Sequence, residues 1–440
     1  MEEGGEERIR PLRIAAAWAL PVDAVPIRDA AVLVGADGRI AAVGPATAVP
    51  TPSDAEALTF PAGILLPGLV NTHTHLELTG FAPTAPELEF HRWILSIRRL
   101  KQARPPADFV AAARRGLLEC WAGGVTTIAD TGDSGAAVEA LQELRGSGIA
   151  YQEVFGPHPA QREASLADLA RRMEQLTAGQ CDRVRLGVSP HAPYTVSGPL
   201  YADVAAWARA RGLPLAVHLA ESLAETQFVS ASRGPFAEAW QARGIPLPHD
   251  PLQQPPTVLP SDAPTVRPTA SPVRWLDAHR VLGPDTLCIH AVQLDADDIK
   301  LLAQRRVAVA HCPVSNAAHG HGSAPLAALL QAGLRVGIGT DSVASVGVLD
   351  LFREARAAQA LAGLSDAEAL ALATLDGARA LGLEPQIGSL TPRKWGDLTV
   401  VAAAAGPAET APLRAVLQAS PVSVLLTALG GRIVHRAPPA

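Results

Sequence analysis

Side chains of the types that bind metals and move protons follow four apolar, β-prone runs of this chain. In chain order they are His73, His75, His218, Glu221, His290 and Asp341. The preceding runs are residues 64–71, 215–217, 286–289 and 336–339. Three imidazoles and one carboxylate suit Zn²⁺, with Fe²⁺ as the alternative. A metal of this kind lowers the pKa of a bound water to about 7 and so supplies hydroxide at neutral pH.

The metal ligands are predicted to be His73, His75, His218 and Asp341. His73 and His75 are two residues apart at the end of an extended run, so both side chains point to one side. Taken singly, His218 also fits a buried core histidine, and Asp341 also fits the N-cap of a following helix. The ordered set, with every member at a strand end, favours a metal site.

Three residues are predicted to be catalytic. His290 and Asp341 are placed to take the proton of the metal-activated water. Glu221 follows a ligand by three residues, so it can carry that proton to a ring nitrogen of the substrate. Taken alone, Glu221 also fits a carboxylate in the first turn of a helix. Together the three predict a metal-assisted hydrolase that acts on a C=N or C–X centre.

The middle of the chain alternates apolar β-prone runs with amphipathic helical patterns, which is typical of a parallel sheet covered on both faces. The predicted strands are Ile64–Val70, Thr126–Asp130, Tyr151–Phe155, Arg185–Val188, Leu215–His218, Thr286–His290, Val307–His311 and Val336–Thr340. The predicted helices are Asp108–Ala122, Gly135–Gly146, Leu166–Ala178, Leu200–Arg211, Ala296–Gln304, Pro325–Ala332 and Leu349–Leu361. Eight such units predict an α/β fold, a (β/α)8 TIM barrel, whose active site lies at the carboxyl ends of the strands. An open doubly wound sheet is the alternative, but the Gly-x-Gly-x-x-Gly fingerprint is missing after the first strand.

Both ends of the chain read as short strands and turns. Residues 30–34 and 40–43 flank the turn sequence Gly35-Ala-Asp-Gly38, a strong hairpin signal. We therefore predict a small composite β-sandwich of residues 1–62 and 386–440, and a catalytic barrel of residues 63–385. Residues 245–272 contain nine prolines, and they fit either a disordered insertion or a lid over the site.

Composition narrows the class of protein. The net charge of −6 and the absence of a basic cluster argue against nucleic acid as a partner. No run approaches the roughly 18–20 apolar residues of a membrane span, and the acidic start is no signal peptide. The four cysteines, Cys120, Cys181, Cys288 and Cys312, are scattered and predict reduced thiols of a cytoplasmic protein. The expected partner is a small-molecule substrate, and a homodimer stays open.

The motifs resemble those of the amidohydrolase superfamily over nearly the whole chain. The matching segments are Pro67-Gly-Leu-Val-Asn-Thr-His-Thr-His75, Val217-His-Leu-Ala-Glu221, Ile289-His290, His311-Cys-Pro-Val-Ser-Asn316 and Gly339-Thr-Asp341. They look like the cytosine deaminase/chlorohydrolase branch, which mostly deaminates aminated heterocycles. Relatives with two metals often use a modified Lys on strand four. Residues 187–191 contain no Lys, so we predict one metal, most simply zinc.

The resemblance also implies a substrate. The segment Ser189-Pro-His191 looks like that of adenosine-type deaminases, in which the His touches the substrate. The residues after the metal pair and the loop around Trp93 are most like 6-aminodeoxyfutalosine deaminases of menaquinone biosynthesis. That substrate carries a benzoate, which Arg92 or Arg98 could bind through a bidentate pair. The predicted substrate-binding residues are Glu77, Arg92, Trp93, His191 and Asn316.

Several alternatives stay open at this point. The first is deamination of S-adenosylhomocysteine or methylthioadenosine, whose enzymes carry an acidic residue just before the tryptophan in this loop. Here the acid is displaced to Glu89. Guanine deamination and triazine dechlorination use the same attack by water. A metal-free relative without enzyme activity would need lost ligands, and none is lost here.

Overall fold

The computed structural model describes residues 10–81, 89–177, 182–254, 271–402 and 411–438. The chain divides into two compact units. One comprises Met1–Asn71, Leu118–Thr127 and Asp350–Ala440, and the other comprises Thr72–Leu117 and Ile128–Leu349. Among the described helices, none has the length and apolar character that a membrane crossing requires.

An eight-stranded parallel sheet forms the barrel. Its strands are β5 (Leu69–Thr74), β6 (Val125–Gly132), β7 (Gly148–Val154), β8 (Val184–Pro190), β9 (Leu215–Leu219), β10 (Thr286–His290), β11 (Ala308–His311) and β12 (Arg335–Ile338). They neighbour one another in chain order from β5 to β12. The first and last units also meet, because Thr74 pairs with Asp341 and the Asp341 N–H donates to the His73 carbonyl at 3.0 Å. The predicted TIM barrel is confirmed.

The first barrel strand differs from its prediction. The apolar run 64–66 belongs to an earlier strand, β4 (Glu56–Pro67), and the barrel strand starts only at Leu69. Gly68 lies between the two strands. A side chain does not fit at this position, because a Cβ there would lie 2.1 Å from Oγ1 of Thr126. Two strands joined by one glycine give a single continuous apolar run, which the sequence pattern cannot divide. The shift places His73 inside β5, and His75 is the next residue after it.

Helices follow most strands, and all seven predicted helices are present with ends displaced by a few residues. The described helices are α1 (Phe90–Gln102), α2 (Pro106–Ala122), α3 (Ala136–Glu143), α4 (Arg162–Thr177), α5 (Gly198–Arg209), α6 (Leu223–Ala231), α7 (Pro235–Gln241), α8 (Pro272–Ala278), α9 (Ala296–Arg305), α10 (Pro313–Ala318), α11 (Leu326–Gln331), α12 (Val343–Val346), α13 (Leu351–Ala362), α14 (Asp366–Leu372), α15 (Leu375–Ala380) and α16 (Pro412–Leu417). Helix α9 illustrates how the sequence sets a helix start. Asp295 and Asp298 form a reciprocal capping box there, and Leu302 on the inner face is buried.

The two chain ends share one seven-stranded sheet. Its strands are β1 (Leu12–Ala19), β2 (Ile27–Val34), β3 (Ile40–Pro45), β4, β13 (Leu398–Ala402), β14 (Val424–Leu429) and β15 (Arg432–Arg436). Their spatial order is β15-β14-β13-β4-β1-β2-β3. Side chains of β1 alternate between buried and partly buried, and its inward residues join a core with Val32, Leu398 and Leu426. The composite β-structure expected from both ends is therefore present, hydrogen-bonded as a single sheet.

The proline-rich segment 245–272 is only partly described. Residues 245–254 contain a short 3₁₀ turn, Pro251–Gln253, and Pro272 begins α8. Gln253 is buried, and its side chain accepts from the N–H of Gly198 at 2.9 Å. The choice between lid and disordered insertion concerns residues 255–270, which lie outside the described ranges. Of the cysteines, Cys120, Cys288 and Cys312 are buried thiols, and Cys181 lies outside the described ranges.

Candidate metal centre and active site

Three imidazoles converge at the carboxyl ends of the barrel strands. One ring nitrogen each of His73, His75 and His218 lie within 4.8 Å of one another. The ring centroids are 4.8 Å apart for His73 and His75, and 5.0 Å apart for His73 and His218. His73 and His218 are buried. This spacing brings three nitrogen donors to one point, as a tetrahedral metal site requires.

Asp341 adds a carboxylate to the same point. Its Oδ1 lies 3.6 Å from Nε2 of His73 and 3.6 Å from Nε2 of His75. Its backbone has a φ of +59°, which turns the chain sharply after β12. The expected alternative, an N-cap role, falls to the next residue, because the Ser342 side chain caps α12. Ser315, which was not predicted, donates its hydroxyl to Asp341 Oδ2 at 2.5 Å and fixes the carboxylate.

Backbone carbonyls hold the second ring nitrogens of two of these histidines. Nδ1 of His75 lies 2.8 Å from the Thr131 carbonyl, and Nδ1 of His218 lies 3.1 Å from the His191 carbonyl. A carbonyl only accepts, so each Nδ1 carries the proton and each Nε2 keeps its lone pair. Metal-binding histidines in proteins are oriented in this way. The donor set therefore fits a divalent metal.

The electrostatics also suit a cation. Burial lowers the pKa of His73 to about 4 and holds the pKa values of His75 and His218 below the ordinary histidine value. The imidazoles are thus neutral at pH 7. Burial would raise the pKa of Asp341, but the nearby imidazoles outweigh it and lower that pKa well below its usual range. Neutral imidazoles and an ionised carboxylate are the protonation states that metal ligation needs.

Glu221 lies beside this group at the turn after β9. It is 3% exposed. Burial would raise the pKa of Glu221, but His290 and His321 outweigh it and lower that pKa to about 2. Its backbone N–H donates to the Glu225 carboxylate at 2.9 Å, and the Ala220 N–H donates to the other oxygen of Glu225 at 2.8 Å. Glu225 therefore braces the turn that carries Glu221.

His290 ends β10 and faces Glu221. Its Nε2 lies 3.5 Å from Oε1 of Glu221, and its Nδ1 lies 2.9 Å from Oδ1 of Asn316. Its φ of +72° marks a strand end that bends to present the ring. Asn316, predicted to bind substrate, is buried and contacts His290. In this arrangement it orients the imidazole, and a direct contact with substrate stays a prediction.

Glu77 lies in the short 3₁₀ turn directly after His75, and its side chain has protein partners. Its carboxylate contacts the ammonium group of Lys101 and the hydroxyl of Ser134. Lys101 also contacts Asp133. Burial would lower the pKa of Lys101, but Glu77 and Asp133 outweigh it and raise that pKa. Lys101 and its carboxylates thus tie α1 to the ends of β5 and β6, and substrate binding by Glu77 stays a prediction.

The other predicted substrate-binding residues fall into two groups. Trp93 is 8% exposed, and its ring centroid lies 4.5 Å from that of His319. His191 lies with its ring 4.8 Å from His218. In contrast, Arg92 has a side chain 64% exposed and pairs with Glu89 at 3.3 Å, and Arg98 is also exposed. The histidine therefore packs against a candidate metal ligand and the tryptophan against His319, while both arginines are exposed on α1.

A second group of potential ligands shares one residue with the first. Donor atoms of Glu153, His191 and His218 lie within 4.8 Å of one another. Nδ1 of His191 contacts Oγ1 of Thr195 at 2.8 Å, and Nε2 lies 4.0 Å from Oε1 of Glu153. Because His218 has one free nitrogen, it can serve only one of the two groups at a time. The prediction of one metal stays a prediction.

Sequence reasoning missed Ser315, Lys101 and His321 as members of this site. His321 is 5% exposed and places Nε2 3.3 Å from Oε1 of Glu221. The only signal was the sequence His319-Gly-His321, a second His-x-His pair that on its own is as typical of a loop as of a ligand.

Comparison with known proteins adds a family and close relatives. The model of the amidohydrolase family matches residues 64–434. The chain is 33% identical over 392 residues to a 5′-deoxyadenosine deaminase of Methanothermobacter thermautotrophicus, covering 86% of this chain and 82% of that protein. It is 32% identical over 392 residues to a 5-methylthioadenosine/S-adenosylhomocysteine deaminase of Moorella thermoacetica, with the same coverage of both chains.

A solved structure agrees with this. An adenosine deaminase of Xanthomonas campestris, solved with bound zinc, superposes with a TM-score of 0.79 at 26% identity. The superposition covers 96% of this chain and 92% of that one.

Proposed function

Because the chain belongs to the amidohydrolase family, we propose that it is a metal-dependent hydrolytic deaminase of adenine nucleosides modified at the 5′ position. The observation that carries the proposal is the convergence of His73, His75, His218 and Asp341 beside Glu221. Relatives with about one third of their residues in common, over more than four fifths of their length, are deaminases of such nucleosides by name. The reaction replaces the exocyclic amine with oxygen and releases ammonia.

In this proposal His73, His75, His218 and Asp341 hold one divalent metal, with zinc preferred over iron. When bound, the metal supplies a water of lowered pKa at neutral pH. Ser315 keeps the Asp341 carboxylate turned toward the imidazoles through its hydrogen bond to Oδ2.

Glu221 moves the protons of the reaction. Its carboxylate accepts a proton from the attacking water and delivers it to N1 of the purine, which makes C6 more electrophilic. The second proton of the water passes to the exocyclic amine, which leaves as ammonia when the C6–N bond breaks. His290, held by Asn316, orients the attacking water or stabilises the charge on its oxygen in the transition state. The low exposure of both side chains excludes bulk water from the proton transfer, so the proton is exchanged only between Glu221 and the bound reactants.

The base and sugar are held by His191 and Trp93. Trp93 belongs to an aromatic wall that includes Phe90, with ring centroids 5.8 Å apart and nearly parallel planes, and Tyr194, which stacks on Phe236 at 4.1 Å. An aromatic wall of this kind favours stacking and apolar contact over ion pairing. It therefore suits a 5′-deoxy or methylthio group.

A second substrate is supported by the helix that carries Trp93. Arg92 and Arg98 of α1 are exposed on that helix. They could bind an acidic group of the substrate that extends from the active site to the surface of α1, as the benzoate of aminodeoxyfutalosine would. That substrate would place the enzyme in menaquinone biosynthesis, as the sequence resemblance predicts. A buried cation is not required if the carboxylate stays at the surface.

One set of assays tests the proposal. The metal-loaded protein is given 5′-deoxyadenosine, methylthioadenosine, S-adenosylhomocysteine, aminodeoxyfutalosine, adenosine, guanine, cytosine and a chlorotriazine. Release of ammonia gives kcat/KM for deamination, and release of chloride is measured for the chlorotriazine. We expect a 5′-modified adenine nucleoside to give the highest value. A highest value for guanine or cytosine would contradict the adenine assignment, and release of chloride from a chlorotriazine without ammonia release would contradict the reaction itself.

The arginines then separate the finer candidates. If aminodeoxyfutalosine is the substrate, Arg92→Ala or Arg98→Ala should raise its KM while leaving the KM for 5′-deoxyadenosine unchanged. The two variants serve as controls for each other, since both remove one exposed cation from the same helix. Equal KM values in both variants and the wild type would exclude a role for these arginines in binding a benzoate.

A further inference from the structure

The second His-x-His pair of the chain is His319-Gly-His321. The backbone of His321 is held by hydrogen bonds on both its N–H and its carbonyl. The pair follows α10, and Gly320 adopts a φ of +67° that reverses the chain after the helix. The N–H of His321 donates to the Asn316 carbonyl at 2.9 Å. The side-chain amide of Gln293 donates to the His321 carbonyl at 2.5 Å. The ring of His321 is therefore presented from a rigid turn.

That ring is buried against the carboxylate of Glu221. Nε2 of His321 lies 3.3 Å from Oε1 of Glu221, and the two side chains are 3% and 4% exposed. The edge-to-face contact with Phe90, at 4.5 Å and 88°, fixes the plane of the imidazole from the other side. A buried carboxylate without a hydrogen-bond donor is costly, so the identity of its donor matters.

His290 is the other imidazole near the same oxygen, but it is less suited to donate. Its Nδ1 lies 2.9 Å from Oδ1 of Asn316, and an amide oxygen only accepts. Nδ1 of His290 therefore donates to Asn316. Its Nε2 lies 3.5 Å from Oε1 of Glu221, farther than the 3.3 Å between Nε2 of His321 and the same oxygen.

We propose that His321 is a positioning residue for Glu221 and donates its Nε2–H to Oε1. The hydrogen bond holds the carboxylate in one orientation and leaves Oε2 to take the proton from water and pass it to the purine N1. Asn316 contacts the imidazole of His290 through its side chain, and its carbonyl accepts from the backbone N–H of His321. The inference rests on the proposed deaminase function for its kinetic consequence, but not for the hydrogen bond itself.

His319 provides a matched control within the same turn. Its ring lies 4.5 Å from that of Trp93 and 5.5 Å from that of Phe90, so it belongs to the aromatic wall. Replacing it changes the same loop by the same kind of side chain without removing the proposed donor to Glu221. Because the aromatic wall is part of the proposed substrate site, His319→Gln should raise KM, but the acidic limb of its kcat/KM profile should stay at the wild-type pH.

The kinetic test compares a donor with a non-donor of similar size at position 321. His321→Gln keeps an N–H that can reach Oε1, and its kcat should stay within about fivefold of the wild type. His321→Leu removes the donor, and its kcat should fall about 10- to 100-fold, the scale of one hydrogen bond to a charged group. The acidic limb of its kcat/KM profile should also move to higher pH, because a carboxylate without its donor holds a proton more tightly. His321→Met replaces the Leu variant if that protein does not fold.

Three results would overturn the proposal. One is a Leu or Met variant, loaded with metal, that keeps the wild-type kcat and pH profile. The second is an equal loss in the Gln and Leu variants, which would mean that ring shape matters and donation does not. The third comes from a measurement that needs no activity, the ¹⁵N chemical shifts of the His321 imidazole. These signals are assigned by their loss in His321→Gln, and the proposal expects them to show the proton on Nε2. A proton on Nδ1 alone would exclude the hydrogen bond even if the deaminase function holds. A wild type without deaminase activity but with the proton on Nε2 would instead refute only the proposed function.

Discussion

Replacing Glu221 with Gln should remove most of the chemistry and leave the metal in place. Gln has nearly the same shape as Glu, but its amide cannot carry a proton between water and the purine. Glu221 contacts His290 and His321 at 3.5 Å and 3.3 Å and belongs to the proposed proton path, outside the four ligands. The metal content should therefore be that of the wild type.

The size of the effect follows from the burial of the site. General acid–base catalysis contributes about 10²- to 10⁴-fold, or about 2.7–5.4 kcal/mol of activation free energy at about 1.36 kcal/mol per decade. Bulk water cannot replace a carboxylate that is 3% exposed, but His290 beside it could move protons in part. We expect kcat to fall at least about 10²-fold, nearer the lower end of that range.

The assay measures kcat by ammonia release on protein whose metal content has been determined by elemental analysis. Glu238→Gln is the matched control, because Glu238 is an exposed carboxylate on α7, and that variant should match the wild type. If a metal-loaded Glu221→Gln enzyme turns over within tenfold of the wild type, Glu221 is not the proton shuttle and the reasoning from its position fails.

Three other predictions concern the same site. His290→Asn should fold and bind metal but turn over slowly, and loss of the metal would show instead that His290 is a ligand. Glu225→Gln should lower the free energy of unfolding by about 1–3 kcal/mol at pH 5, since one of two buried backbone N–H groups loses its acceptor. Burial raises the pKa of Glu225 from an ordinary 4.5 to about 8, so the folded protein holds this proton more tightly than the unfolded chain does. The resulting contribution to the free energy of unfolding is complete below pH 4.5 and is lost as the pH rises through 8. Chemical unfolding of the wild type should show this decline and that of Glu225→Gln should not, and equal pH dependence of the two would contradict it. Elemental analysis of active protein should give one divalent metal per chain, and chelation should abolish turnover until metal is returned; two metals per active chain would contradict the prediction of a single metal.

The barrel and the clustering of the candidate metal ligands could be predicted because both depend on local pattern. Parallel strands that are buried on both faces give continuous apolar runs, and the residue after each run must lie at the same end of the barrel. His218, His290 and Asp341 were placed by this rule alone. The first strand was the exception, because β4 and β5 follow one another with only Gly68 between them and the apolar pattern does not change.

The supporting contacts of the site could not be predicted, because they depend on which loops meet. Lys101 reaches Glu77 and Asp133 from a helix that the sequence pattern did not single out. Ser315 lies in α10 and His321 lies in the turn that follows it. Only the folded chain brings Ser315 to Asp341 and His321 to Glu221. Periodicity reports which face of an element is buried, and it carries no information about partners from distant parts of the chain.

The central claim is that the chain hydrolyses the amine of an adenine nucleoside with a metal-activated water. The most direct measurement incubates metal-loaded protein with 5′-deoxyadenosine, methylthioadenosine or aminodeoxyfutalosine in H₂¹⁸O and analyses the products by mass spectrometry. The account predicts a hypoxanthine nucleoside that carries one ¹⁸O, one equivalent of ammonia, and no product after chelation. Intact adenine nucleosides after incubation with the metal-loaded protein, or product formation that continues without metal, would contradict it.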